Sequence, residues 1–235
     1  MFAVVLVFFM VGIVKTGVPG LDDVFEKKGF ISNSSVLVSG EPGAGKTILA
    51  LEFIYYGAKD YNETGFFITS EQSIEKIREM AFGMGMPLEQ LEKSGSIVLK
   101  KINITKGGEM IPDNLLNEIK SKKPKRIVLD SITPFELLAS DPKEFRMKIF
   151  SLLEQIGKLG ITLLATGEKR LTNFDRIAFN PEDFLFDGLI IMGRQRKTIN
   201  FQRVLSVIKM RGTKHSEELH PVEISGKGLR VLTVK

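Results

Sequence analysis

The residues best suited to chemistry form one contiguous stretch, Gly40-Glu41-Pro42-Gly43-Ala44-Gly45-Lys46-Thr47. It fits G-x-x-x-x-G-K-[ST], the loop that cradles the phosphates of a nucleotide. Its glycines let backbone N–H groups converge on phosphate oxygens without side chains intervening. Lys46 can reach the β- and γ-phosphates, and the Thr47 hydroxyl can ligate Mg²⁺. That chemistry requires a strand before the loop and a helix after it. The β-branched run Ser35–Ser39 reads as the strand, and Ile48–Tyr55 has helix-forming composition. The helix aims the positive end of its dipole at the same point. Gly43, Ala44, Gly45, Lys46, Thr47 and Ile48 are therefore the expected nucleotide-binding residues.

Two carboxylates are candidates to complete the site. Asp130 closes the apolar run Ile127–Leu129, where a carboxylate can hold the Mg²⁺ shell through water. A lone Asp there can also simply cap a helix. Glu71 follows the strand candidate Phe66–Thr69, and can polarise an attacking water or cap the next helix. Gln72 beside it can orient water or substrate.

The elements that must position these groups alternate. Strands are expected at Ser35–Ser39, Phe66–Thr69, Ser96–Ile102, Ile127–Leu129 and Ile161–Thr166. Helices are expected after the loop, through Ile74, Ile77 and Ala81, over Asp113–Lys120 with Pro112 in its first turn, and along Phe145, Ile149, Leu152, Leu153 and Ile156. This is an α/β fold with a mostly parallel central sheet and helices on both faces. Beyond a surface loop over Thr172–Asp183, Leu185–Gly193, Arg203–Met210 and Leu229–Val234 read as strands with no helices between them, an antiparallel extension. The basic run Lys122–Arg126 reads as a solvated connection. Residues 1–14 form an apolar segment, expected to be a packed strand, and residues 15–235 one domain. The apolar segment is shorter than the roughly 20 residues that span a bilayer and lacks a basic signal-peptide start. Met10 is a second candidate start.

Composition narrows the options. The chain has no cysteine, which removes disulfides and thiolate chemistry, and we expect a cytoplasmic protein. Its two histidines, His215 and His220, match no zinc pattern. From Arg194 onward there are ten Lys/Arg against three Glu, in a chain of net charge +5. Such a basic tail suits nucleic acid, or phosphates on a neighbouring subunit.

Several motifs together resemble a single KaiC domain of the RecA-type P-loop ATPase superfamily. They are Thr16–Asp22, the phosphate loop, Thr69-Ser70-Glu71-Gln72, Leu129-Asp130-Ser131, and Lys209-Met210-Arg211-Gly212-Thr213 with His215. The resemblance runs from about Lys15 to the C-terminus and implies ATP and Mg²⁺ as ligands. It implies that Glu71 is the first of a catalytic glutamate pair, whose second member is here Gln72. It also implies that Lys209, Met210, Arg211, Thr213 and His215 reach the nucleotide held by an adjacent subunit, Lys209 and Arg211 at the γ-phosphate. Ser225-Gly226 replaces the family's Thr-Asp, so those contacts do not transfer.

The resulting expectation is a homo-oligomeric, Mg²⁺-dependent ATPase, a hexameric ring by resemblance, with a regulatory or signalling role. The alternative is a recombinase-like DNA-binding ATPase. Against it, only Phe201 interleaves with Arg194, Arg196, Lys197 and Arg203. Self-phosphorylation ranks below both, because no Ser or Thr stands out as acceptor. We expect no membrane association.

Overall fold

The apolar runs become strands of one sheet in the computed structural model, which describes residues 12–105, 108–171, 174 and 176–233. In chain order the strands are β1 (Ile13–Val14), β2 (Phe30–Ile31), β3 (Ser35–Gly40), β4 (Gly65–Thr69), β5 (Ile97–Lys101), β6 (Arg126–Asp130), β7 (Thr162–Glu168), β8 (Gly188–Lys197), β9 (Asn200–Met210), β10 (His220–Ser225) and β11 (Gly228–Val231). Helices are α1 (Lys46–Tyr61), α2 (Ile74–Gly83), α3 (Glu89–Lys93), α4 (Asp113–Lys122), α5 (Thr133–Leu138) and α6 (Pro142–Lys158). β1 and β2 make a separate two-stranded pair, and the other nine form one sheet ordered β11-β10-β9-β8-β3-β7-β6-β4-β5. From β8 to β5 all pairings are parallel, and from β8 to β11 antiparallel, as the sequence pattern implied.

Both faces are covered, which is why β3, β4 and β6 are buried along their length rather than alternating. One core packs α1 and α2 on the sheet through Leu49, Phe53, Ile77 and Ala81. The other packs α4, α5 and α6 on the opposite face through Leu115, Phe135, Phe145, Ile149, Leu152 and Ile156. The start of α6 is set by Asp141, whose carboxylate accepts from the Glu144 N–H at 2.8 Å, with Pro142 at the first helical position. No helix among the described residues is long and apolar enough to cross a membrane.

Several expectations need correction. β10 goes unnamed in the sequence reading. β8 starts at Gly188 rather than Leu185 and runs on to Lys197, and the last strand ends at Val231. Pro112 stands at the N-cap, outside the first turn. Residues 1–11 of the apolar segment lie outside the described residues, and only Ile13–Val14 is seen as strand. Within Thr172–Asp183, residues 172, 173 and 175 also lie outside them. The segment's end is not surface: Glu182 and Asp183 are buried, and the Asp183 carboxylate pairs with the buried Lys169 ammonium at 2.6 Å.

In the basic run Lys122, Lys123 and Lys125 are exposed as expected, but Arg126 is not part of the solvated connection. It opens β6 with its side chain fully buried. Its Nε donates to Glu63 at 2.5 Å and its Nη1 to the Phe53 carbonyl at 2.9 Å, with the guanidinium 4.7 Å from the centre of the Phe53 ring. Gly57 leaves the room, since a Cβ there would lie 2.5 Å from Arg126 Nε. Removing one partner of a buried pair strands the other charge, whereas an apolar isostere removes the problem. We expect Glu63→Ala to cost about 3 kcal/mol, the low end of the buried-pair range because Glu63 is partly exposed. Arg126→Met should cost less than half as much. Urea unfolding of the two variants measures the difference, and the reverse ranking would show that the pair itself is strongly stabilising.

Candidate nucleotide site

The site assembles at the carboxyl ends of β3, β4, β6 and β7, where open parallel sheets bind ligands. β3 is central, so its loop is flanked by β7 and β8. Gly40 closes β3 at φ 155°, and a Cβ there would lie 1.8 Å from the Met192 carbonyl on β8, so the loop can leave the sheet only through glycine. Gly43 and Gly45 take φ of 73° and 107°, left-handed backbone that favours glycine in the turn ahead of α1. Lys46 Nζ donates to the carbonyls of Gly40 and Glu41, each at 2.9 Å, spanning its own loop where phosphates would sit. Burial lowers the Lys46 pKa, opposed by Glu168, Asp130, Glu71 and Glu41.

Asp130 stands one strand beyond β7 from the loop. Its carboxylate accepts from Thr47 Oγ1 at 3.1 Å and from the buried Thr166 hydroxyl. Burial pushes its pKa up, against those two hydrogen bonds. The two residues read as Mg²⁺ ligands are thus already in contact. Among the described residues no cluster of three or more His, Cys, Asp or Glu could hold a metal by itself. One hydroxyl and one carboxylate suit a hard cation that takes its remaining oxygens from phosphates and water, as Mg²⁺ does.

Glu71 lies two residues beyond β4, exposed, with its Oε2 accepting from Ser131 Oγ at 3.2 Å. Ser131 is locked in turn: its N–H donates to Ser70 Oγ at 3.0 Å, and Ser70 Oγ donates to the Ser131 carbonyl at 2.8 Å. Glu71 is therefore fixed beside Asp130. Among the described residues Gln72 is held through its backbone alone, which exchanges hydrogen bonds with Thr69 Oγ1.

The structure does not bring Lys209, Met210 and Arg211 to this loop. Met210 pairs with Gly188 and Gly188 with Val36, whereas Gly40 pairs with Met192. They therefore sit about 13 Å along β8 from the loop, at the opposite edge of the sheet. Lys209 Nζ donates to the Phe186 carbonyl at 2.7 Å, and burial lowers its pKa, with Arg211 adding to the effect. Arg211 pairs with Asp187 at 3.2 Å and also donates to the Phe184 carbonyl. Thr213 and His215 follow on a segment that meets the chain near Phe25, where Thr213 Oγ1 accepts from the Lys27 N–H and His215 forms an isolated β-bridge.

Three features of the site are not read from the sequence. Glu168 ends β7 next to the loop and is the largest carboxylate influence on Lys46, but the strand was expected to stop at Thr166. Arg194 and Arg203 both donate to the Gly43 carbonyl, at 3.4 and 3.0 Å, a convergence visible only once β8 and β9 are in register. Glu52 is the third. It lies buried in α1, where its Oε1 accepts from the Leu229 N–H at 2.7 Å and its Oε2 has no partner. Gly228, at φ 95°, would place a Cβ 2.1 Å from Oε1. The same β10–β11 hairpin touches the loop, since a Cβ on Gly45 would meet Ile224 and Leu229 side chains at 2.8 and 3.2 Å.

Burial raises the Glu52 pKa to about 8. In the unfolded chain this group ionises near its ordinary 4.5, so between about pH 4.5 and 8 only the unfolded state gives up the proton. Stability contributed at low pH is therefore lost as pH rises through this window, with a slope approaching 1.4 kcal/mol per unit. Glu52→Gln should be the more stable protein at pH 8 and should lose that part of the slope. Denaturation midpoints at pH 5 and pH 8 report it, and parallel pH profiles for the two proteins would refute it.

A glycine loop between β3 and α1, with Thr47 and a strand-end aspartate in contact across the sheet edge, defines a P-loop nucleotide-binding protein of the RecA type. The family model described as "ATPase: KaiC" matches residues 14–235. The chain belongs to that family. It is 31% identical over 235 residues to UPF0273 protein MJ1359 of Methanocaldococcus jannaschii, covering 93% of this chain and 95% of that protein. It is 28% identical over 228 residues to the circadian clock oscillator protein KaiC of a Picosynechococcus species, covering 93% of this chain and 44% of the other. The chain thus spans about half the length of the clock proteins it matches. The crystal structure of the KaiC-like protein PH0186 of Pyrococcus horikoshii superposes with a TM-score of 0.82 at 32% identity, over 95% of this chain and 100% of that one.

Proposed function

We propose that the protein hydrolyses ATP with Mg²⁺ as a head-to-tail homo-oligomer, each nucleotide bound by one copy and completed by the next. The carrying observation is the separation of the two half-sites. The loop and Arg211 occupy opposite edges of one sheet, too far apart for one guanidinium to serve its own loop. Two different surfaces meeting between identical copies make a heterologous contact, which closes into rings or runs on as filaments. The family resemblance favours a six-membered ring. The surface beside Arg211 supports burial on assembly. Phe184, whose carbonyl Arg211 holds, is exposed and packs edge-on against the exposed Phe179 at 6.3 Å.

Bound ATP would draw Lys46 from the Gly40 and Glu41 carbonyls onto its phosphates. Thr47 and Asp130 would hold Mg²⁺, which when bound would supply positive charge to offset that of the phosphates. Glu71, anchored on Ser131, orients the attacking water and accepts its proton. Arg211 and Lys209 of the neighbouring copy stabilise charge on the departing γ-phosphoryl group. That the longer relatives are circadian clock oscillator proteins supports a regulatory role. The test is assembly mass and phosphate release measured side by side, with and without ATP·Mg²⁺. Turnover that rises with protein concentration as the assembly forms is expected. Full turnover from a monomer would end the reading.

A further inference from the structure

The β8–β9 hairpin does not end where the sheet does. β10 pairs with β9 only from Leu205 to Arg203. Past the Arg194↔Arg203 rung the arm continues as two strands alone, through Gln195↔Gln202, Arg196↔Phe201 and Lys197↔Asn200. Directly opposed residues share a face, and faces alternate along each strand. Arg194, Arg196, Phe201 and Arg203 therefore stand together on one face, and Phe201 is 71% exposed. The sequence alone shows one aromatic in a basic tail. The register shows it seated among three arginines.

That face has a definite outlook. Arg194 and Arg203 lie against the phosphate loop at Gly43, and Arg194 and Phe201 line a cavity of about 750 Å³ with Glu41, Pro42, Glu168 and Arg170. We infer that this face binds single-stranded nucleic acid, with phosphates on the arginines and a base stacked on Phe201. Three features choose this ligand. The arm from Arg194 to Arg203 has four cations and no carboxylate, so it is complementary to a polyanion. An exposed ring flanked by guanidinium groups is the platform on which unpaired bases stack. The cavity has room for a base turned out from its strand, which a duplex does not present. The surface would also communicate with the loop. An arginine drawn onto a phosphate leaves the Gly43 carbonyl, so oligonucleotide and nucleotide would alter each other's affinity by the same factor. The inference stands apart from hydrolysis and from assembly, since neither is needed for the arm to bind.

The test is fluorescence anisotropy with a labelled 20-nucleotide oligo(dT) and the full chain, from 50 to 200 mM salt. We expect binding that weakens steeply as salt rises. Arg196→Gln should flatten that dependence by about 0.7 in slope, the share of one phosphate contact on a single strand. Phe201→Ala should weaken binding about fivefold or more, the loss of one stacked base. Both side chains are exposed and off the phosphate loop, so unfolding midpoints should stay at the parent value. Absence of binding at 50 mM salt, or Phe201→Ala binding like the parent, overturns the inference. So does a matching duplex, heparin or an anionic vesicle competing as well as the single strand, because each would show a charge-only surface.

Discussion

Replacing Arg211 by Ala should lower ATP turnover by about three orders of magnitude and change ATP affinity by less than about tenfold. The magnitude is that of an arginine supplied to the γ-phosphate in the transition state. The split between turnover and affinity follows from the sheet. Lys46, Thr47 and the glycine loop belong to the nucleotide's own copy, and nothing about them depends on Arg211. In the isolated subunit Arg211 pairs with Asp187 and the Phe184 carbonyl, and is 61% exposed. Its loss should therefore leave stability near the parent value, as for most surface pairs. Mixing decides whether the arginine acts across an interface. Lys46→Ala copies lack the loop lysine but keep Arg211, and Arg211→Ala copies are the converse. Each should be inactive alone. Mixed, they should regain activity at those interfaces that join an intact loop to an intact arginine. A mixture as inactive as its components, with mixed assemblies confirmed by mass, would return Arg211 to a structural role.

What the sequence disclosed, and what it hid, follows from how chemistry is distributed along a chain. The phosphate loop is legible because its function is contiguous: strand, glycines, lysine, threonine and helix are successive residues. Asp130 is legible because it closes the apolar run Ile127–Leu129. The parallel sheet is legible because its strands are buried on both faces and read as unbroken apolar runs. Groups whose meaning lies in a partner remote in sequence are not. Arg126 looks like one more cation in a basic run until Gly57 and Glu63 make a place for it. Glu52 looks like a surface acid of α1 until the Leu229 N–H reaches it from the far end of the chain. Lys169 and Asp183 look like loop charges, and their pairing requires the turn through Pro181–Phe184. β10 hides for a related reason. It opens on His220-Pro221, and only the four residues Val222–Ser225 alternate apolar with polar, too short a run to stand out before pairing with β9 and β11 is known.

Gln72 stands where the resemblance implies a second glutamate, and the geometry of Glu71 and Gln72 predicts an unequal result. Glu71→Gln should slow hydrolysis by about 10² to 10⁴, the range associated with a positioned general base. Gln72→Glu should change it by less than about tenfold. The difference is one of anchorage. Glu71 accepts from Ser131 Oγ, and Ser131 is tied to Ser70 and follows Asp130, so this carboxylate is placed relative to the metal ligand. The turn at Gln72 is fixed through its backbone, and among the described residues nothing comparable directs its side chain at the site. A carboxylate there would have to displace solvent and find its own geometry, with Glu71 repelling it from the adjacent position. Ser131→Ala then becomes the informative third variant, since it leaves both carboxyl groups in place but removes the anchor. It should lower turnover by a smaller factor than Glu71→Gln, with ATP affinity unchanged. Single-turnover phosphate release at saturating ATP·Mg²⁺ separates the three. If Glu71→Gln kept parent rates while Gln72→Glu raised them a hundredfold, the water would be oriented from position 72, and Glu71 would serve only to hold the end of β6 against the end of β4.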